Sequence, residues 1–526
     1  VKRRTAACVV VVGLLVPTTA GANAYQRPGG FERITLSSTG AQANAGSYFG
    51  SQISMSADGR YVAFSSTASN LVPGDTNKAP DVFVRDRRTG KTVRVSVATG
   101  GAQGDAKPVL CGLDLSDPIN NHPDGATEPE ITPNGRYVVF TSCFDNLVPG
   151  DTNIVDDIFV HDMKTGTTTR VSVDSHGRQS NGPSEHPTIS ANGQRIGFDS
   201  YAKNLDPSKV CGGPTEPEAV CATQPLVVGG TTQMYVRDRA RGTTTVVSVS
   251  STGNLSDGAS GPGTISSDGR YVAFTSEGDN LSPDDTNLCA VGVLDRQGYP
   301  SCPDVYLHDL VTHQTRLVSV GLDGKAAVAF WQAGNGNAGV AFSPQMISAD
   351  DRYVAFRSDD DNLVPNSNNT WGIYVWDRLT GRVRRASVAS DGALVNSSQE
   401  AWALSSDGRF VSFSGVGLSC PNGSFFSTIA VHDMTTGATE PVVSDASSCA
   451  GRPLADGPAL SAGGRDVAFW SSASNVVPGD TNGQQDIFVR ARGSALGTGA
   501  LVASGRLSVA GAGAFRRTGS VVQADA

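Results

Sequence analysis

The residues with the most regular chemical pattern are acids and amides in a recurring D-T-N loop. Asp75, Asn77 and Asp81 return as Asp151, Asn153 and Asp157 and again as Asp480, Asn482 and Asp486, each time spaced D-x-N-x-x-x-D. A fourth copy, Asp285 and Asn287, meets its last member only at Asp304, after a stretch bracketed by Cys289 and Cys302. Side-chain oxygens at i, i+2 and i+6 of a tight loop suit a hard cation, and Ca2+ is the ion expected outside a cell. The same residues also make Asx-turns, in which the side chain bonds nearby backbone amides and only shapes the loop. No glycine at a sharp turn and no terminal glutamate complete a known calcium loop, so both readings stand.

Two further groups can do chemistry. His122, Asp124, Glu128 and Glu130 lie close in sequence, and Glu185 and His186 follow some 55 residues later. Imidazole beside carboxylates can ligate a metal or exchange protons. Convergence of His122, Glu130 and His186 on one ion would mark an enzyme, whereas side chains splayed into solvent would mark a binding surface. The aromatic group is Phe330, Trp331, Trp371 and Trp402, with Phe425 and Phe426 beyond it. Rings among amide side chains stack on sugar faces while the amides meet hydroxyls. Packing beneath long loops is the competing role. No nucleophile elbow, phosphate-binding glycine loop, H-E-x-x-H or C-x-x-C occurs.

The elements that carry these residues follow from a repeat. Ile53 to Phe64 reads as two short apolar runs around Asp58-Gly59, the pattern of a hairpin with a type I′ turn. The turn returns at Asn134-Gly135, Asn192-Gly193, Asp268-Gly269, Asp350-Asp351, Asp407-Gly408 and Gly463-Gly464. A third strand such as Asp81-Val82-Phe83-Val84 follows each hairpin, and a fourth such as Val93 to Val97 follows the first six. Four antiparallel strands per unit make a propeller blade. The seventh unit lacks a fourth strand, and a stray copy, Glu32 to Ser37, precedes the first hairpin. The expectation is an all-β, seven-bladed β-propeller closed by its N-terminal strand, six blades being the alternative if the sixth unit is displaced.

The hairpin Ser266 to Phe274, reading S-S-D-G-R-Y-V-A-F, and the strand D-V-Y-L-H-D at Asp304 to Asp309 resemble the TolB-like propeller repeat. The likeness spans Phe31 to Arg490 and implies the fold; it says little about activity.

Repeats also separate structural from functional residues, because a need of the blade recurs and a site breaks the pattern. The Asp that follows the third strand (Asp86, Asp162, Asp238, Asp309, Asp377, Asp433) is on this ground turn chemistry. His161, His308 and His432, just before it, are expected to be surface variants. Short turns occupy one face of the disc. The second-to-third loops and the inter-blade connections, which hold every candidate site, occupy the other.

Residues 1–24 combine a basic start, an apolar run and the cleavage pattern Ala22-Asn23-Ala24, as in a secretory signal peptide. The propeller is expected over 25–492 and a Gly/Ala/Ser-rich tail over 493–526. Cysteines beyond the leader fall in near pairs, giving Cys111–Cys143, Cys211–Cys221, Cys289–Cys302 and Cys420–Cys449 as expected disulfides in an oxidising compartment. The net charge of -9 without a basic stripe argues against nucleic acid, and no later segment is apolar enough to span a membrane. The combined reading is a secreted, monomeric binding or scaffold propeller for a glycan or protein ligand, stabilised by Ca2+ if the D-T-N loops bind it. The alternative is a glycan- or lactone-active hydrolase at the channel mouth.

Overall fold

The computed structural model describes residues 30–47, 52–105, 125–210, 231–286, 303–327, 346–360, 362–367, 370–397, 401–414, 418–419, 425–426, 429–443 and 455–492. They form seven four-stranded antiparallel blades in a ring, with a single helical turn at Pro207–Val210. Blade one is Ser54–Met55, Tyr61–Ser66, Asp81–Asp86 and Lys91–Arg94, hydrogen-bonded in that order. The first strand is innermost, since first strands of neighbouring blades pack on one another. In blade five it shrinks to a bridge between Ile347 and Val354.

Blade seven supplies Asp456–Leu460, Asp466–Ser471 and Asp486–Ala491 and takes its outer strand from Phe31–Arg33. Phe31 pairs with Arg490, Glu32 with Val489 and Arg33 with Phe488. The closing strand therefore starts one residue earlier and ends four earlier than the repeat suggested; beyond it only the Ile34 amide still bonds blade seven's Ile487 carbonyl in ladder fashion. Closure pairs both sides of blade seven's third strand, Asp486–Ala491.

The core is a stack of aromatic pairs, one within each of six blades. Phe64 and Phe83, Phe140 and Phe159, Phe198 and Tyr235, Phe274 and Tyr306, Phe356 and Tyr374, and Phe469 and Phe488 all lie with ring centroids 5.8–5.9 Å apart. Each pair joins the middle strands of a blade and is packed by its neighbours, which is why aromatics few in number suffice.

The hairpin turn differs from the expected type. Only the glycine takes a positive φ (Gly59 71°, Gly135 70°, Gly193 72°), and Asp351 does so at 58° where blade five lacks glycine. A type I′ turn needs two such residues. Here the Gly59 amide bonds Ser56 O, while Asp58 accepts from the Ser56 hydroxyl and the Arg60 amide. The glycine has a second duty. A Cβ on Gly193 would stand 2.3 Å from the Tyr137 ring of the preceding blade. Arg136 and Arg239 cover that ring at 4.7 and 5.1 Å from its centroid, and Arg239 also donates to Gly193 O. The motif D-G-R-Y thus builds the seam between blades, not only the turn.

The recurrent Asp behaves as expected. Asp86 accepts two hydrogen bonds from Arg60 and others from the Arg88 and Thr89 amides, and Asp309 repeats this with Arg270. His161, His308 and His432 are not surface variants; all three are buried. Their Nδ1 atoms lie 2.8–2.9 Å from the hydroxyls of Thr168, Thr315 and Thr439. Those hydroxyls donate to carbonyls of the preceding blade, so the imidazole N–H is the donor to the threonine. Burial lowers the pKa of each histidine and keeps it neutral.

Candidate functional site

The D-T-N loops hold a cation of the chain's own. Arg94 reaches Asp75 at 3.3 Å and Asp81 at 3.0 Å, Arg170 reaches Asp151 at 2.9 Å and Asp157 at 3.3 Å, and Arg33 reaches Asp480 at 2.9 Å and Asp486 at 3.7 Å. In blade seven this arginine belongs to the closing strand. Asn77, Asn153 and Asn482 donate to the carbonyls of Gly104, Ser180 and Ala43, which fastens the loop to the next connection. Blade four has Leu317 in the arginine's register, and there the Tyr306 hydroxyl donates to Asp285. Asp304 accepts from Ser319 as Asp81 does from Ser96, and Asn287 lies outside the described residues. Phenylalanine with arginine and tyrosine with leucine are thus two ways to furnish one buried carboxylate with a donor.

The aromatic group is dispersed. Trp402 is 1% exposed inside the core of blades five and six and presents no face to solvent. Trp371 is half-buried, with the Arg357 guanidinium 3.8 Å from its ring centroid. Phe330 and Trp331 lie outside the described residues.

The polar group partly converges. The first strands of blades two and three, Ala126–Ile131 and Ser184–Ile189, each skip a register position, between Thr127 and Glu130 and between Glu185 and Thr188. The skipped residues are Glu128-Pro129 and His186-Pro187. Proline has no ladder N–H to give, and a bulge redirects the residue before it. Glu128 and His186 accordingly sit at φ 52° and 51°, a left-handed backbone that residues other than glycine seldom adopt.

The consequence is a cluster across two adjacent blades. Glu128 Oε2 accepts the His186 amide at 2.9 Å and the Thr141 hydroxyl at 2.8 Å. The His186 ring stands between two acids, Nδ1 2.9 Å from Asp199 Oδ1 and Nε2 3.4 Å from Glu128 Oε1. Glu185 pairs in register with Asp199, and ligand atoms of Glu185, His186 and Asp199 lie within 4.8 Å of one another. Burial works against a charged imidazole, but Glu128, Asp199 and Glu185 outweigh it and hold His186 well above its ordinary pKa. The ring remains 27% exposed, so the cluster is reachable. It lies where first strands begin and second strands end, on the face of the second-to-third loops.

Asp199 was not singled out by its sequence neighbourhood. Its signal is positional: blades one, two and four place Ser65, Thr141 and Thr275 there. Blade four also makes room for it, since a Cβ on Gly261 (φ 123°) would meet Asp199 Cβ at 2.4 Å. Glu130 has a different task. It is the counterpart of Ser54 and Thr188, whose hydroxyls accept the Ile131 and Ile265 amides, and its carboxyl accepts the Ile189 amide at 3.2 Å. Burial raises its pKa well above the usual range, against the hydrogen bond from the Ile189 amide. His122 and Asp124 lie outside the described residues.

This is a seven-bladed, strand-closed β-propeller with a histidine–carboxylate cluster on its loop-rich face. No protein-family model matches the chain, and no curated protein does. Among solved structures, it is similar to an oligogalacturonate lyase in complex with manganese, at 14% identity over 90% of this chain and 99% of that one (TM-score 0.47). It is also similar to the β-propeller domain of the Trilobed protease from Pyrococcus furiosus, at 11% identity over 85% and 95% of the two chains (TM-score 0.44). TolB from Acinetobacter baumannii is similar at 14% identity over 78% and 77% (TM-score 0.34). These likenesses concern the propeller fold alone.

Proposed function

We propose that the chain is an exported ligand-binding propeller whose glycan or protein ligand docks on Glu128, Glu185, His186 and Asp199. The observation that carries this reading is the placement of three carboxylates around one reachable imidazole, one of them, Asp199, at a strand position where blades one, two and four carry hydroxyls. Such a group accepts hydrogen bonds from sugar hydroxyls or from the cationic side chains of a protein. Export is supported by the leader-like residues 1–24 and by Cys143, which is disulfide-bonded. The other cysteines lie outside the described residues, so the pairings Cys111–Cys143, Cys211–Cys221, Cys289–Cys302 and Cys420–Cys449 stand as proposals for non-reducing peptide mapping. The D-T-N loops are read as structural, with arginine in the place considered for Ca2+.

The test is a binding screen of the purified chain against cell-wall polysaccharides and extracellular proteins, repeated with Glu128→Gln and His186→Ala. Both variants should lose binding while their circular dichroism stays unchanged. Equal binding by wild type and both variants would remove the ligand from this site. Hydrolysis is the second reading, favoured by the close contact of imidazole and carboxylate. Release of new reducing ends or acid from a bound ligand would establish it.

A further inference from the structure

We propose that Glu185, His186 and Asp199 form a binding site for one divalent transition-metal ion, with Glu128 orienting the histidine. Three observations carry the inference. The first is the donor set: one imidazole and two carboxylates, whose ligand atoms already lie within 4.8 Å of one another. Bonds of about 2.0–2.2 Å put the ligand atoms of a four-coordinate zinc about 3.4 Å apart, so small side-chain rotations close the site.

The second is the arrangement behind the histidine. Ligating histidines commonly give their other ring N–H to a carboxylate, which fixes the tautomer and strengthens the ligand. Glu128 Oε1 stands 3.4 Å from Nε2, while Nδ1 faces Asp199 at 2.9 Å. An ion entering on the Nδ1 side replaces the proton shared there, which leaves to solvent, and Nε2–H stays on Glu128. Glu128 itself is fixed from both blades, by the Thr141 hydroxyl and the His186 amide.

The third is that the site is built at a cost. Glu128 and His186 both occupy left-handed backbone, and blade four supplies Gly261 where a side chain would collide with Asp199. Mixed nitrogen and oxygen ligands favour zinc or manganese over calcium, which prefers oxygen alone. Three protein ligands leave a coordination position open toward solvent, where an oxygen of the docked ligand would bind. That last step rests on the function proposed above; the metal site does not.

Isothermal titration of the chelator-treated full chain with ZnCl2, MnCl2 and CaCl2 tests this. One equivalent of zinc or manganese is expected, with Co2+ giving visible d–d bands. Glu128→Gln should weaken binding about 10- to 100-fold without changing the stoichiometry. Glu185→Gln and Asp199→Asn should each weaken it further, and His186→Ala should abolish the Co2+ bands. The proposal is overturned if neither zinc nor manganese binds, if only calcium binds, or if His186→Ala leaves the bands intact. Should His186→Ala fold poorly, the Glu185→Gln titration decides alone, and undiminished affinity refutes the site. Metal binding without any ligand in the screen would sink the docking reading only; ligand binding indifferent to zinc, manganese and chelator, with no metal bound, would sink the metal site only.

Discussion

Replacing Arg94 by leucine should expose how the D-T-N loops are held. Arg94, Asp75 and Asp81 have side chains 8%, 5% and 0% exposed, so the variant strands two buried carboxylates without their cation. Breaking a buried ion pair by removing one partner costs about 3–5 kcal/mol. Blade four shows the remedy, since Leu317 coexists there with Tyr306, whose hydroxyl donates to Asp285. Phe83 occupies the tyrosine's register in blade one. Adding Phe83→Tyr to Arg94→Leu should therefore restore about 1.5–3 kcal/mol, the worth of a hydrogen bond to a charged group. Phe83→Tyr alone places a hydroxyl beside a guanidinium that can donate to it, as Arg385 does to Tyr374 in the same register of blade five, and should shift stability by no more than about 1 kcal/mol. Urea denaturation of the four proteins gives the coupling energy directly. A single-variant loss below about 1 kcal/mol, or a Phe83→Tyr effect equal in both backgrounds, would refute the reasoning. Calcium adds an independent arm: millimolar Ca2+ should raise the melting temperature of Arg94→Leu and leave the wild type unmoved. A wild-type rise that a chelator reverses would instead give these loops to Ca2+.

Three other outcomes are expected. Stability should be greatest near pH 4 and fall on either side. Burial, then repulsion from Asp81, raises Asp75 to about 6 against the pull of Arg94, and burial with Asp268 raises Asp351 to about 6. Folded pKa values above the unfolded value of about 3.9 give stability that is full below that value and is lost as pH rises through about 6. Asp162 and Asp377 are held at about 2, first by hydrogen bonds from Arg136 and Arg352, so their contribution is present above about pH 4 and lost on acidification through about 2. Melting curves from pH 2 to 8 check this, and Asp75→Asn should flatten the alkaline limb. Gly193→Ala should cost more than about 2 kcal/mol, because its Cβ meets Tyr137 at 2.3 Å, whereas Gly166→Ala has open space and should cost only the about 1 kcal/mol of its φ of 69°. Equal losses would mean that the seam contact contributes nothing. Deleting the chain through Arg33 removes blade seven's outer strand and the partner of Asp480 and Asp486, and should raise protease sensitivity at Asp486–Ala491.

Much of the architecture was legible because each blade repeats a local rule. Period-two strands, turn residues and the missing seventh outer strand are properties of short segments, and their count alone implies a seven-membered ring closed by residues near Phe31. The interior polar contacts were less legible. His161 reads as a surface residue until folding sets it beside Thr168, whose hydroxyl donates to Val97 O of the preceding blade, 71 residues away in sequence. The same limit applied to Trp402, whose burial depends on how blades five and six meet.

The acids in the D-T-N loops, Glu128, Glu185 and His186 could be named as chemically able from the sequence alone. Tertiary structure decided what each can meet. Arg94, Arg170 and Arg33 enter the D-T-N loops because antiparallel pairing sets the fourth strand beside the third, and Arg33 arrives from the other end of the chain. Asp199 joins Glu128 and His186 because a bulge before proline turns two side chains toward a neighbouring blade. Sequence spacing encodes strands and turns, which are local, whereas a site assembled across a seam depends on the register and packing of segments that only folding brings together.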